Sequence, residues 1–214
     1  MNTKLNSFRD VLLWVCLGGI PVLAGMLGGW GLALYLLPEA WVPWGVLTGV
    51  LAGALLDVFI LRRWIERASV LPLWVWLGVY LFYSIYVFGF FMGVPVFNIL
   101  LAVPAAFLTA AFLQQRGVSS AELHVRSRYI NLGAALVLLA VCTTSAFLAL
   151  GDPYTPANLE GMLRLGFRVT RPMLWGLVLV GGAGLLVTQS LLFEGVVRLT
   201  GFLYGLRPAG KAGA

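Results

Sequence analysis

Six long apolar runs, each ended by a short polar or glycine- and proline-bearing stretch, set the pattern of the chain. An α-helix needs about 20 apolar residues to cross a bilayer, and the runs approach or exceed that length. They predict membrane spans at about 11–37, 42–61, 71–91, 98–113, 129–150 and 173–193. The connections are short: Pro38 to Ala40, the arginines Arg62, Arg63 and Arg67, an uncharged turn at 92–97, the polar segment Gln114 to Arg128, and a longer loop at 151–172. Beyond the last span, Glu194 and Arg198 are spaced to pair if the helix continues, and the tail RPAGKAGA is expected to fray. The predicted fold class is an all-α integral membrane protein: six transmembrane helices in one bundle, a single polytopic domain over residues 1–214.

One stretch departs from the simple pattern. Residues 80–98, YLFYSIYVFGFFMGVPVFN, carry no charge yet hold three tyrosines, a serine, an asparagine, two glycines and a proline. Polar side chains at membrane depth need partners. Asn98 is placed to cap span 4, and Trp76, Tyr80 and Tyr83 follow one helical face of span 3.

Composition agrees with lipid as the solvent. The 214 residues are 61% hydrophobic and 10% charged, with a mean hydropathy of +0.96, which an ordinary water-soluble core cannot accommodate. The net charge of +6 does not point to nucleic acid, because the basic residues sit in small groups at the ends of apolar runs. Eleven of the 14 Lys and Arg residues fall on one side of the predicted topology and Arg164, Arg168 and Arg171 on the other. That bias places both termini in the cytoplasm, and the expected location is a plasma membrane of the prokaryotic cytoplasmic kind. Lys4 and Arg9 precede the first run as in a secretory signal, but the run is too long for one and reads as a retained span. Cys16 and Cys142 fall at different depths and are expected to be packing residues.

Within the spans, Gly45, Gly49 and Gly53 recur every four residues and lead to Asp57. Such spacing makes a groove that lets another backbone come close, either in this chain or in a partner membrane protein. A carboxylate in a span usually faces the bundle or a cavity, although Asp57 lies only about 7 Å before Arg62, which would anchor it near the interface. Gln189 in span 6 asks for an interhelical partner, as does Asn131 in span 5. In the loop, Thr155 and Pro156 open a short amphipathic helix with Thr155 as its N-cap. Arg164, Arg168 and Arg171, at i, i+4 and i+7, form one basic stripe if that helix extends; they would attract an anionic solute, or bind lipid headgroups and pair with Glu160 and Asp152. His124, the one histidine, reads as solvated in a polar loop.

No HExxH, GxSxG or P-loop motif occurs, so metal-site and triad chemistry lack their usual participants, and no cofactor is named. In size, span number and terminus placement the chain is similar to the small substrate-binding components of modular vitamin uptake systems, a likeness of architecture carried by no shared motif. The expected function is a small membrane transporter, or a substrate-binding membrane component, for a small anionic or amphipathic solute. Its expected ligand-binding residues are Asp57, Tyr80, Tyr83, Asn98, Arg164, Arg168 and Gln189. The alternatives are an assembly subunit that meets a membrane partner through Gly45, Gly49 and Gly53, and a lipid-modifying enzyme. In each case the bilayer is a partner and nucleic acid is not.

Overall fold

The computed structural model describes residues 3–91 and 93–204; Met92 and the tail Arg207 to Ala214 lie outside the described residues. Every regular element among them is helical, and six helical runs are long and apolar enough to cross a membrane: Leu5–Leu36, Glu39–Val70, Leu73–Phe90, Pro95–Gln115, Ala121–Gly151 and Arg171–Leu203. The chain is thus a multi-pass membrane protein by length and composition of its helices. It divides into two compact units, residues 1–79 and 80–214.

The first unit is built on α1 (Thr3–Leu36) and α2 (Val42–Arg67), with 3-10 turns at Glu39–Trp41 and Ala68–Val70. α1 runs through Pro21 without a break in its helical assignment. Glycine allows the two helices to meet backbone to backbone. A Cβ on Gly25 would strike the carbonyl oxygen of Gly49, one on Gly29 that of Gly45, and one on Gly53 that of Pro21. Close approach of this kind is how helices associate in lipid, where burial of apolar surface offers no driving force. Leu13, Leu17, Ala33 and Leu61 are buried along the same hairpin. Trp14, Trp41, Trp44 and Phe59 are exposed and so offered to lipid. α2 does not stop at Arg62 as expected. It continues through Arg67, and Arg62 and Glu66, four residues apart, form an exposed ion pair on its last turns.

In the second unit, α4 (Ala102–Gln115) is the central helix. Of its apolar window 44% is buried, against 17% for the span of α5 (Ser120–Gly151). Three alanines at four-residue intervals, Ala102, Ala106 and Ala110, let neighbours pack tightly, and Leu113, Val118, Leu123, Phe193 and Val197 complete the core. The last span is one helical run made of α7 (Arg171–Gly176), a π turn at Leu177–Gly181 and α8 (Gly182–Leu203). It extends past residue 193, and Glu194 and Arg198 pair at 2.5 Å on its outer turns.

Three local expectations are corrected. α4 is preceded by a 3-10 turn at Pro95–Leu101, so Asn98 lies inside helical backbone and caps nothing with its side chain. α5 begins at Ser120, about nine residues before the expected span, because the Ser119 side chain accepts the Glu122 N–H and starts the helix there. His124 therefore sits on a helix and not in a loop. The loop helix, here α6, spans Thr155–Leu163 with Tyr154 as its N-cap, and the Thr155 hydroxyl instead donates to Asp152 at 3.2 Å.

Candidate functional site

The uncharged stretch that ends α3 (Leu73–Phe90) and leads into α4 is closed by polar side chains bonding to backbone. Tyr80 and Ser84, four residues apart, form the buried line of α3 within the second unit. The side-chain N–H of Asn98, which is 1% exposed, donates to the Ser84 carbonyl at 2.9 Å. The turn between them places Gly93 at φ +82, a conformation only glycine adopts without strain. Its carbonyl accepts the Ser145 hydroxyl of α5 at 2.7 Å. Phe91 and Phe97 stack across the turn at 3.7 Å between ring centres.

Several buried polar atoms of the second unit have hydrogen bonds that are not met by protein. Gln189 on α8 has no solvent exposure, and neither its Oε1 nor its Nε2 has a partner. Asn98 Oδ1 and the Tyr80 hydroxyl are buried in the same condition. Asn131 of α5 donates to the carbonyl of Ser190, beside Gln189, at 3.5 Å, and its own Oδ1 stays unmatched. α5, α8 and the 3-10 turn bearing Asn98 all pack on one another and on α4, so three of these groups come from mutually packed elements. Tyr83 is half-buried, with its ring edge-on to Phe82 at 5.6 Å.

Asp57 belongs to the first unit. Its Oδ1 is buried without a partner, and its Oδ2 lies 3.6 Å from where a Cβ on Gly18 would stand, so the carboxylate faces α1 across the hairpin. The anchoring partner expected at Arg62 is committed to Glu66 at 3.1 Å. The glycine groove leading to Asp57 is filled by α1 of the same chain.

The basic stripe does not form. α6 ends at Leu163, Arg164 turns into the left-handed region at φ 49, and helix resumes only at Arg171. Arg164, Arg168 and Arg171 are exposed and make no ion pair among the described residues. The carboxylates expected to meet them are engaged elsewhere. Asp152 accepts from the Tyr154 N–H and the Thr155 hydroxyl, and Glu160 accepts the Val169 N–H at 2.5 Å. A cleft of about 130 Å3 opens beside them, lined by Asp152, Arg171 and Trp175 with Leu150, Leu174 and two prolines.

Asn98 and Gln189 are legible in the sequence as site candidates and Arg171 as a member of the basic stripe, whereas Ser84 and Trp175 are not among the expected site residues. Ser84 contributes only its carbonyl, which no residue pattern reveals, whereas Trp175 beside Arg171 at the start of a span was a readable interfacial signal. Among the described residues no three His, Cys, Asp or Glu side chains gather as a metal centre, and both cysteines are free thiols. Comparison of the chain with protein families, curated proteins and solved structures finds no match.

Proposed function

We propose that the chain is a small membrane transporter, or a substrate-binding membrane component, whose second unit takes a small polar or amphipathic solute through the buried groups of Tyr80, Asn98 and Gln189. The observation that carries this reading is Gln189: a fully buried amide with neither atom partnered, on a membrane-spanning helix. An unsatisfied buried polar group costs about 1–3 kcal/mol, and such departures from good packing concentrate at functional sites. A solute with both a donor and an acceptor, such as an amide, a carboxylic acid or a hydroxylated ring, would satisfy that side chain. The π turn two turns before Gln189 supports the same reading, since such turns recur at functional sites.

In this reading the protein lies in a plasma membrane with both termini cytoplasmic, as the basic residues favour. Asp57 belongs to the first unit and is not part of this reading. The assembly reading is weaker because the groove of Gly45, Gly49 and Gly53 is already occupied by α1.

The test is native mass spectrometry of the purified protein alongside Gln189→Leu. A polar molecule retained by the wild type and lost from a Gln189→Leu protein that melts at an equal or higher temperature supports the proposal. Retention of the same molecule by Gln189→Leu, or its absence from both, rejects it.

A further inference from the structure

The loop between α5 and α7 joins two consecutive spans, so it lies at a membrane surface whichever way the protein is inserted. Its charges are unbalanced by construction. Glu160 holds the loop shut, accepting the Val169 N–H with its carboxylate and the Leu165 N–H with its carbonyl. Asp152 is engaged with the backbone and side chain of the turn before α6. Both acids are thereby turned to local structure, and Arg164, Arg168 and Arg171 remain exposed with no ion pair among the described residues.

Along the chain, large exposed apolar side chains alternate with those charges. Leu163 is 62%, Phe167 56% and Trp175 52% exposed. Guanidinium groups interleaved with a tryptophan and large apolar side chains, at the end of two spans, fit the headgroup layer, where rings and alkyl groups reach the acyl boundary and arginine meets phosphate. The cleft lined by Arg171, Trp175 and Asp152, about 130 Å3, exceeds the roughly 10–15 Å3 that one water requires, so it has room for part of a polar headgroup, with the Asp152 carboxylate held by the Tyr154 N–H and the Thr155 hydroxyl.

We propose that this loop is a binding surface for anionic phospholipid, with Arg168 and Arg171 taking the headgroup phosphate, Arg164 adding charge beside them, and Trp175 and Phe167 entering the acyl boundary. It is separate from the buried site around Gln189 and does not depend on a solute there. It also gives a physical use to basic residues that stand against the charge bias of the rest of the chain.

The test uses the full chain, delipidated in a neutral detergent, with thermal melting as readout. Short-chain phosphatidylglycerol is titrated against phosphatidylcholine of equal chain length and against inorganic phosphate. The expected result is a rise in melting temperature with phosphatidylglycerol that is absent or much smaller with the other two. In Arg168→Gln/Arg171→Gln the midpoint of that rise should move to a concentration higher by on the order of tenfold or more, as loss of two surface arginines implies. The charge-matched control Arg63→Gln/Arg67→Gln should leave it in place. An equal rise with phosphatidylcholine, an equal rise with inorganic phosphate, no rise at all, or an unchanged midpoint in the double variant overturns the proposal. If the double variant fails to fold, the single variants Arg168→Gln and Arg171→Gln carry the test: each should move the midpoint several-fold, and an unmoved midpoint in both overturns the proposal.

Discussion

Gly25 of α1 and Gly49 of α2 meet so closely that a Cβ added to either would run into the carbonyl oxygen of the other. The obstacle on each side is backbone, which has no rotamer to change. The contact is repeated one turn away by Gly29 and Gly45, and Gly53 meets Pro21 in the same manner. The hairpin of the first unit is therefore held by what its side chains lack.

Gly49→Ala should destabilise the hairpin by about 1–3 kcal/mol, the usual range for overpacking a close contact, and Gly49→Leu by more. Gly28→Ala and Gly31→Ala provide the contrast, because nothing lies within 4 Å of a Cβ at either position. There, replacing glycine inside a helix should be neutral or stabilising by about 0.5–1 kcal/mol. Unfolding in mixed detergent micelles would compare them. Equal losses at Gly49 and Gly28 would show that the backbone contact does not hold the hairpin.

Asn98→Ala should cost about 1–2 kcal/mol through loss of the bond to the Ser84 carbonyl. Ser84→Ala should cost much less, because that bond uses the backbone of Ser84 and not its hydroxyl. Thermal melting of the two variants separates the cases. A larger loss from Ser84→Ala would mean that the serine side chain, and not the asparagine, organises the turn.

The helices were readable because apolar run length is a local property, and the ends of the runs were less so. The four-residue glycine spacing on α2 announced a close contact, but nothing in it could say that Gly25 and Gly29 of the same chain would fill the groove. Asn98 resembled a cap because an asparagine before an apolar run usually is one. The residue instead entered a 3-10 turn and spent its amide on α3, a tertiary choice invisible to spacing. The i, i+4, i+7 interval of the three arginines assumed an unbroken helix, which Arg164 ends by turning left-handed. Ser119 followed by Glu122 three residues on was a legible helix start, and it moved α5 far earlier than hydropathy suggested. Of the candidate site, Gln189 and Asn98 could be named from sequence, but their unmet hydrogen bonds appear only once the packing is known.

Gly93→Ala should be more damaging than Ser145→Ala although both act on one turn. The first forces a side chain into φ +82 at roughly 1–2 kcal/mol, and its Cβ would also lie 3.5 Å from the ring of Phe88, an ordinary contact that adds little. The second removes one hydroxyl bond of 2.7 Å, worth about 0.5–1.5 kcal/mol. Because both changes loosen the same connection, the double variant should lose less than the sum of the singles. Full additivity in chemical unfolding would mean that the Ser145 bond does not depend on the shape of the turn.

Glu160→Ala should open the loop between α6 and α7 without lowering the global melting temperature by more than a degree or two. The carboxylate holds the Val169 N–H at 2.5 Å, but the segment is mostly exposed and contributes little to the core, so its opening is local. Glu160→Gln keeps an acceptor oxygen and should preserve most of the protection. Hydrogen exchange at Val169 is the direct measurement: fast in Glu160→Ala, slow in the wild type, and close to wild type in Glu160→Gln. Were exchange at Val169 equally fast in all three proteins, the Glu160 bond would not order the loop, and Glu160 would no longer be held to the backbone rather than to an arginine.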